Sequence, residues 1–314
     1  MASFRMPQRA LTGLAGAAIA LSACAVPPDA ATTATPWTGT DADDGQTAVL
    51  RAYPVGSDWF VGPNNFGVAL VDDDGRPVRG AQVTITFYDL RSRDHPRPAG
   101  EAPAEESVPG GNPAVGAYYA RVVFSAPGLW GAEVRATLEG GRTGVGRVAF
   151  AVAAKPAVVA PGQPAPRSDN LTRAEVADIR LIDSGDPPNG MHDWKIRDAL
   201  AQGRPLVVVF ATPAYCTSMA CGPVVEEVQS LAETYGDDVA FVHIEVWMDP
   251  RTGQVNPAVR EWLVRSDGGF SEPWVFVVDR KGIVYDRWSG PVSRELLEPA
   301  VAAVARGDVW QGAR

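Results

Sequence analysis

The chain has 314 residues, of which 46 % are apolar, and carries a formal net charge of −9. That length predicts about two ordinary domains with enough apolar surface for two cores, and the acidity argues against nucleic acid as a partner. The basic residues are nearly all arginine, with only Lys155, Lys195 and Lys281 as lysines, a bias that carries no functional information.

Arg5 and Arg9 precede an apolar run from Ala10 to Ala20 that is too short to span a bilayer. No later segment is long enough either. Residues 1–24 therefore read as an export signal. The run ends in Leu21-Ser22-Ala23-Cys24, which resembles the lipobox of bacterial lipoproteins. The resemblance implies that Cys24 becomes the lipidated first residue, and that the membrane is a partner through that anchor. Acyl chains contribute about 0.8 kcal/mol per buried methylene, so two or three hold a folded body stably. The expected location is the extracytoplasmic face of the cell membrane. Loss of Arg5 and Arg9 takes the side-chain charge to −9 − 2 = −11. Residues 25–46, rich in Pro, Thr, Ala, Asp and Gly, read as a flexible tether. The acids Asp41, Asp43 and Asp44 within it read as solvating charge and not as a cation site.

From 47 to 153 the apolar residues alternate. Trp130, Ala132, Val134, Ala136 and Leu138 interleave with Gly131, Glu133, Arg135, Thr137 and Glu139, the period of two that a strand with one buried face requires. Val83, Ile85 and Phe87 repeat the pattern, as do Val148, Phe150 and Val152. Asp73-Asp74-Gly75-Arg76-Pro77 and Glu139-Gly140-Gly141 supply turns, so an all-β, Ig-like sandwich of short antiparallel strands is predicted. The acids before Gly75 lack the spaced ligands and terminal Glu of a calcium loop and read as a hairpin turn. The stretch Arg91 to Pro113 reads as a long loop. A sandwich-type copper site needs several His or Met, and this region offers His95 alone, so it is read as a spacer or partner-binding module.

Residues 154–168, with Pro156, Pro161, Pro164 and Pro166, read as a semi-extended linker. Residues 169–314 read as an α/β domain. A helix is predicted from Trp194 to Leu200, then a buried strand, Leu206-Val207-Val208-Val209-Phe210. After Cys221-Gly222-Pro223 the residues Val224, Val225, Val228, Leu231, Ala232 and Tyr235 recur at helical spacing, with Gly236 at the helix end. A strand from Val239 to Val246 completes a βαβ unit. A hairpin follows, Pro273 to Asp279 and Ile283 to Trp288, and then a helix from Arg294 to Arg306 with Ser293 at its N-cap.

The segment Phe210-Ala211-Thr212-Pro213-Ala214-Tyr215-Cys216, the turn Cys221-Gly222-Pro223 and the strand start Ser271-Glu272-Pro273-Trp274 resemble the thioredoxin superfamily, over about residues 170–310. The resemblance implies a thioredoxin fold, a redox-active pair Cys216/Cys221, and Pro273 as the cis-proline that shapes the substrate groove. Thr217-Ser218-Met219-Ala220 departs from the family's two-residue spacing, so a disulfide needs a turn that brings the Cα atoms within about 4.4–6.8 Å. No acid lies within Leu206 to Phe210, where many members carry a buried Asp. Cys216 is assigned as nucleophile from the strand-end match; Cys221, beside a Gly-Pro that can itself start the helix, is the alternative. The expected function is thiol–disulfide exchange with protein thiols or disulfides and with no cofactor. Two rivals stay open. One is copper handling like that of Sco chaperones, for which His243 lies in a strand instead of the required later loop. The other is a non-enzymatic interaction module whose disulfide is structural, with Trp247, Trp262, Trp274 and Trp288 as a docking or core set. His192 is read as solvent-facing or capping.

Overall fold

The alternating residues of the first half form seven strands in a computed structural model that describes Trp37, residues 47–91 and residues 96–312. They are β1 (Ala48–Val55), β2 (Gly62–Val71), β3 (Gln82–Asp89), β4 (Arg97–Ser107), β5 (Ala117–Phe124), β6 (Gly128–Thr137) and β7 (Thr143–Val152). Their order is β1-β2-β5-β4-β3-β6-β7, and β1 returns to pair in parallel with β7, Ala48 opposite Gly144 through Arg51 opposite Arg147. This closes one sheet into a barrel and corrects the expected Ig-like sandwich. A Cβ on Gly144 would sit 2.8 Å from the Leu50 side chain, so glycine there permits the closing approach. Inside, Phe66, Phe87, Phe124, Trp130 and Phe150 form a chain of tilted and edge-on rings, the arrangement that aromatic quadrupoles favour. The expected loop from Arg91 to Pro113 is also corrected, because the 11-residue strand β4 runs through its middle. Its inward-facing residues include Ala102 and Ala104, whose small side chains make a weak periodic signal.

The second half contributes α1 (Ile196–Ala201), β8 (Leu206–Ala211), α2 (Cys221–Tyr235), β9 (Ala240–Glu245), β10 (Trp247–Asp249), β11 (Gln254–Val255), α3 (Pro257–Trp262), β12 (Trp274–Val278), β13 (Val284–Ser289) and α4 (Arg294–Ala305). Four strands form a mixed sheet of order β13-β12-β8-β9, in which β8 and β9 are parallel and β12 is antiparallel to both of its neighbours. Strand β8 is buried on both faces. Val207, Val209 and Ala211 pack on α2 and α4, while Leu206, Val208 and Phe210 pack on α1 and α3. Trp262, Trp274 and Trp288 belong to these cores and not to a docking surface.

The chain as a whole is thus predominantly β, with thirteen strands and four α-helices among the described residues, two of those helices only six residues long. An Ig-like sandwich joined to an α/β thioredoxin domain is therefore corrected to a β-rich molecule whose largest sheet is a closed barrel. The resemblance rested on short turn motifs, a Cys-Gly-Pro at a helix start and a proline at a strand start, and local turn chemistry does not fix a fold family.

The described residues cluster as one compact unit. Residues 154–168, expected as a spacer, are packed into it. Val158, Ala160 and Ala165 are buried, and the Gly162 N–H donates to the Val284 carbonyl at 2.9 Å. Arg287 of β13 is fully buried and donates to the carbonyls of Asp58, Val158 and Val159 and to the Asp58 carboxylate at 2.9 Å. Asn65 and Arg121 of the barrel both donate to Asp286, and the Tyr119 hydroxyl donates to the Ser289 carbonyl at 2.7 Å. Cys24, the export signal, Asp41, Asp43, Asp44 and His95 lie outside the described residues. No described helix is long and apolar enough to cross a membrane.

Candidate redox site

Strand β8 delivers the chain at Ala211 to a loop that ends where α2 begins. Within that loop the Tyr215 N–H donates to the Thr212 carbonyl at 3.2 Å, and the Met219 N–H donates to the Cys216 carbonyl at 3.4 Å. Met219 takes φ +59°, the left-handed conformation that tightens the turn. The folded loop brings Cys216 and Cys221 to a Cα separation of 6.0 Å, and the two form a disulfide. The two sulfurs have unequal surroundings. Cys221, the first residue of α2, is completely buried, whereas Cys216 is half-buried between exposed Tyr215 and Met219. The Ser218 hydroxyl lies 3.1 Å from the Cys216 sulfur. As Pro223 has no N–H, the free first-turn amides at this helix end are those of Cys221 and Gly222.

Pro273 begins where β12 meets β8. Trp274 pairs with Phe210, so Pro273 lies beside Ala211 at the end of β8, from which the disulfide loop departs. The Glu272–Pro273 peptide is cis, as is Asp186–Pro187, which the sequence did not suggest. Glu272 turns its carboxyl inward. Oε1 accepts from the Trp247 indole N–H at 3.1 Å, and Oε2 is buried on the side of Thr212. Burial pushes the Glu272 pKa up to about 6; interactions with Thr212 and the Trp247 indole oppose the rise and the nearby Glu245 charge adds to it.

Beneath the loop lies a polar network that sequence reasoning missed. Glu245, at the end of β9, accepts from the Ser184 N–H at 2.7 Å and from its hydroxyl at 3.1 Å, and the Ser184 oxygen in turn accepts from the Ala214 N–H. Burial raises the Glu245 pKa. Asp183 is completely buried and accepts four donors: the N–H groups of Gly185 and Asn189, the Asn189 side-chain amide, and His192 Nε2 at 3.0 Å. Burial alone would raise its pKa, yet the hydrogen bonds from His192 and from the Gly185 N–H outweigh it and hold the carboxyl well below the usual range. Asn189 Oδ1 accepts from the Met191 N–H, which fixes its amide nitrogen toward Asp183 and toward His243 Nδ1 at 2.8 Å. His243 therefore carries its proton on Nε2 and donates to the Ala211 carbonyl at 3.1 Å. His192, expected at the surface, is buried, because the loop 183–192 folds over it; burial lowers its pKa and keeps it neutral. A usable signal existed in β9. His243 and Glu245 alternate within an otherwise apolar strand and so share one face.

Among the described residues, Asp183, His192 and His243 form the single cluster with metal-ligand spacing. Its lone pairs are already engaged, since His243 Nδ1 accepts from Asn189, and an ion would have to displace that amide. The arrangement is chemically a closed hydrogen-bond network that anchors Ala211 and Ala214, the two ends of the approach to Cys216. A cavity of about 220 Å³ at the seam of barrel and sheet, lined by Asp58, Asn65, Arg121 and Trp310, contains neither cysteine.

No protein-family model matches the chain, and no curated protein matches it. Among solved structures the chain is similar to a DUF4426 family protein from Pseudomonas aeruginosa PAO1, at 13 % identity and TM-score 0.23, over 34 % of this chain and 90 % of that one. It is also similar to a superoxide reductase (neelaredoxin) from Ignicoccus hospitalis, at 13 % identity and TM-score 0.19, over 34 % of this chain and 82 % of that one. At such scores neither likeness bears on fold or function.

Proposed function

We propose that this protein is a thiol–disulfide oxidoreductase acting through Cys216 and Cys221, held at the outer face of a cell membrane by a lipid on Cys24. The observation that carries the reading is the asymmetry of the disulfide: Cys216 is open to an incoming thiolate while Cys221 is buried at the first turn of a 15-residue helix. In the oxidised protein a substrate thiolate attacks Cys216 Sγ. The sulfur–sulfur bond breaks, and Cys221 leaves as a thiolate favoured by the helix dipole and free amides. A second substrate thiolate then attacks its partner sulfur in the mixed disulfide. The substrate is oxidised to its disulfide, and the protein retains the two electrons as a dithiol. Cys216 is thus the attacked sulfur and Cys221 the leaving group. Pro273, at the neighbouring strand end, would border the incoming chain.

The deciding experiment is the reduction potential of the pair, titrated in glutathione and thioredoxin buffers with thiol trapping read by mass. A value between about −120 and −270 mV is expected of an exchange-active pair, whereas one well below about −300 mV would identify a structural bond and overturn the reading. Cys221→Ser should trap mixed disulfides on Cys216, and Cys216→Ser should trap none.

A further inference from the structure

We propose that the groove between the loop 184–189 and α2 binds an extended, cationic polypeptide segment, and that this segment belongs to the substrate with which the cysteines exchange. The second part rests on the exchange function proposed above; the first does not. The groove has a volume of about 510 Å³ and lies between the loop 184–189 and one face of α2. Pro213, Ala214 and Gly222 form one end; neither cysteine lines the groove itself, but Gly222 follows Cys221 in α2 and Ala214 stands two residues before Cys216. Glu226, Gln229 and Glu233 continue it down the helix at the spacing of one face. From Gly222 to Glu233 the helix rises roughly 16 Å, a length that about five extended residues match.

Charge selects the occupant. None of the residues lining the groove is basic. Glu226 and Glu233 are both exposed, and among the described residues neither makes an ion pair or hydrogen bond. Across the groove Asp186 meets Arg180 at 3.4 Å, with both side chains mostly in solvent. Two uncompensated carboxylates along a channel of peptide width therefore favour lysine or arginine. Exposed Tyr215 and Met219 add apolar surface at the end where the substrate sulfur must arrive. The polar network beneath holds the wall in place, because Ser184 ties the loop 184–189 to both Glu245 and Ala214.

The test uses the full chain and seven-residue peptides with one central cysteine flanked by arginine, glutamine or glutamate. Each peptide's rate of attack on the protein disulfide is normalised to its rate with glutathione disulfide, which removes the effect of flanking charge on the thiol itself. Binding of the matching serine peptides is read by fluorescence anisotropy. At low salt the arginine peptide should bind and react roughly threefold to tenfold better than the glutamate peptide, and the preference should vanish in the E226Q/E233Q double variant and fade at high salt. Equal behaviour of the three peptides, or a preference that survives in the double variant, overturns the proposal. Charge-selective binding of the serine peptides without any exchange would uphold the groove and remove the exchange function, while exchange without charge preference would do the reverse.

Discussion

Among single residues, Glu272 departs in its chemistry from what its sequence context suggests. Its position before Pro273 and the apolar run 274–278 marks a strand start, and that much is legible from the residues alone. Its burial is not, because it depends on Trp247 arriving from another hairpin to donate to Oε1. The consequence for stability has a definite sign. A folded pKa of about 6 exceeds the unfolded carboxyl value of about 4.3, so the folded state holds this proton more tightly. Its contribution is complete below pH ~4.3 and is lost as pH rises through 6. Glu272→Gln keeps an acceptor for the indole and removes the ionisation. The variant should be more stable than the parent by about 1–2 kcal/mol at pH 8, with the difference disappearing near pH 4. Urea unfolding at the two pH values measures this, and a difference that does not change with pH would show that Glu272 ionises freely. Cys216 and Cys221 were legible as a pair because they are the two cysteines left after Cys24, but the four-residue spacing did not reveal that Met219 would turn left-handed to join them.

The least legible element is the loop from Asp183 to His192, whose turn-forming residues, Asp183-Ser184-Gly185-Asp186-Pro187-Pro188-Asn189, suggest only an irregular connection. Its partners, His243, Glu245 and Ala214, are distant in sequence, and no local pattern announces that a loop of this composition will bury an aspartate beneath a redox loop. Here too pH provides the test. His192 has its pKa lowered by burial, so the unfolded chain takes up the proton first; the stability due to neutral His192 is present above the unfolded value of about 6.5 and is lost as pH falls below it. Glu272 changes in the opposite sense over part of this range, so the comparison must be a difference between proteins. Between pH 8 and pH 5 the parent should lose more stability than His192→Gln, and parallel profiles would show that the imidazole is not the group responsible. Asp183→Asn should cost about 2–4 kcal/mol at neutral pH, because an amide cannot accept all four donors that now converge on the carboxylate. Loss of this anchor should also loosen Ala214 and slow attack at Cys216, which a thiol-trapping time course would register.

At the scale of the molecule, alternation identified β3, β6 and β7 but missed β4 and did not reveal the closure. A period of two buries one face equally well in a sandwich or a barrel; the choice depends on the parallel pairing of β1 with β7, nearly a hundred residues apart in the chain. Likewise the prolines of 154–168 signalled a spacer, yet the carbonyls of Val158 and Val159 are what receive the buried Arg287 guanidinium. That side chain also lies 5.1 Å from the centres of the Phe60 and Trp274 rings, so one residue of β13 touches the barrel, the connecting segment and the sheet. Its charge is acceptable in the interior only because Asp58 and three carbonyls satisfy it. Arg287→Met would leave the Asp58 carboxylate and those carbonyls short of a donor, with an expected loss of about 3–5 kcal/mol. Because the clamp joins all three parts, the parent should unfold in one transition, with tryptophan fluorescence and far-ultraviolet circular dichroism changing together. In Arg287→Met the two signals should separate as the barrel and the sheet lose their common fastening. Two resolved transitions already present in the parent would mean instead that the seam contributes little, and that the barrel and the redox-bearing half are stable independently.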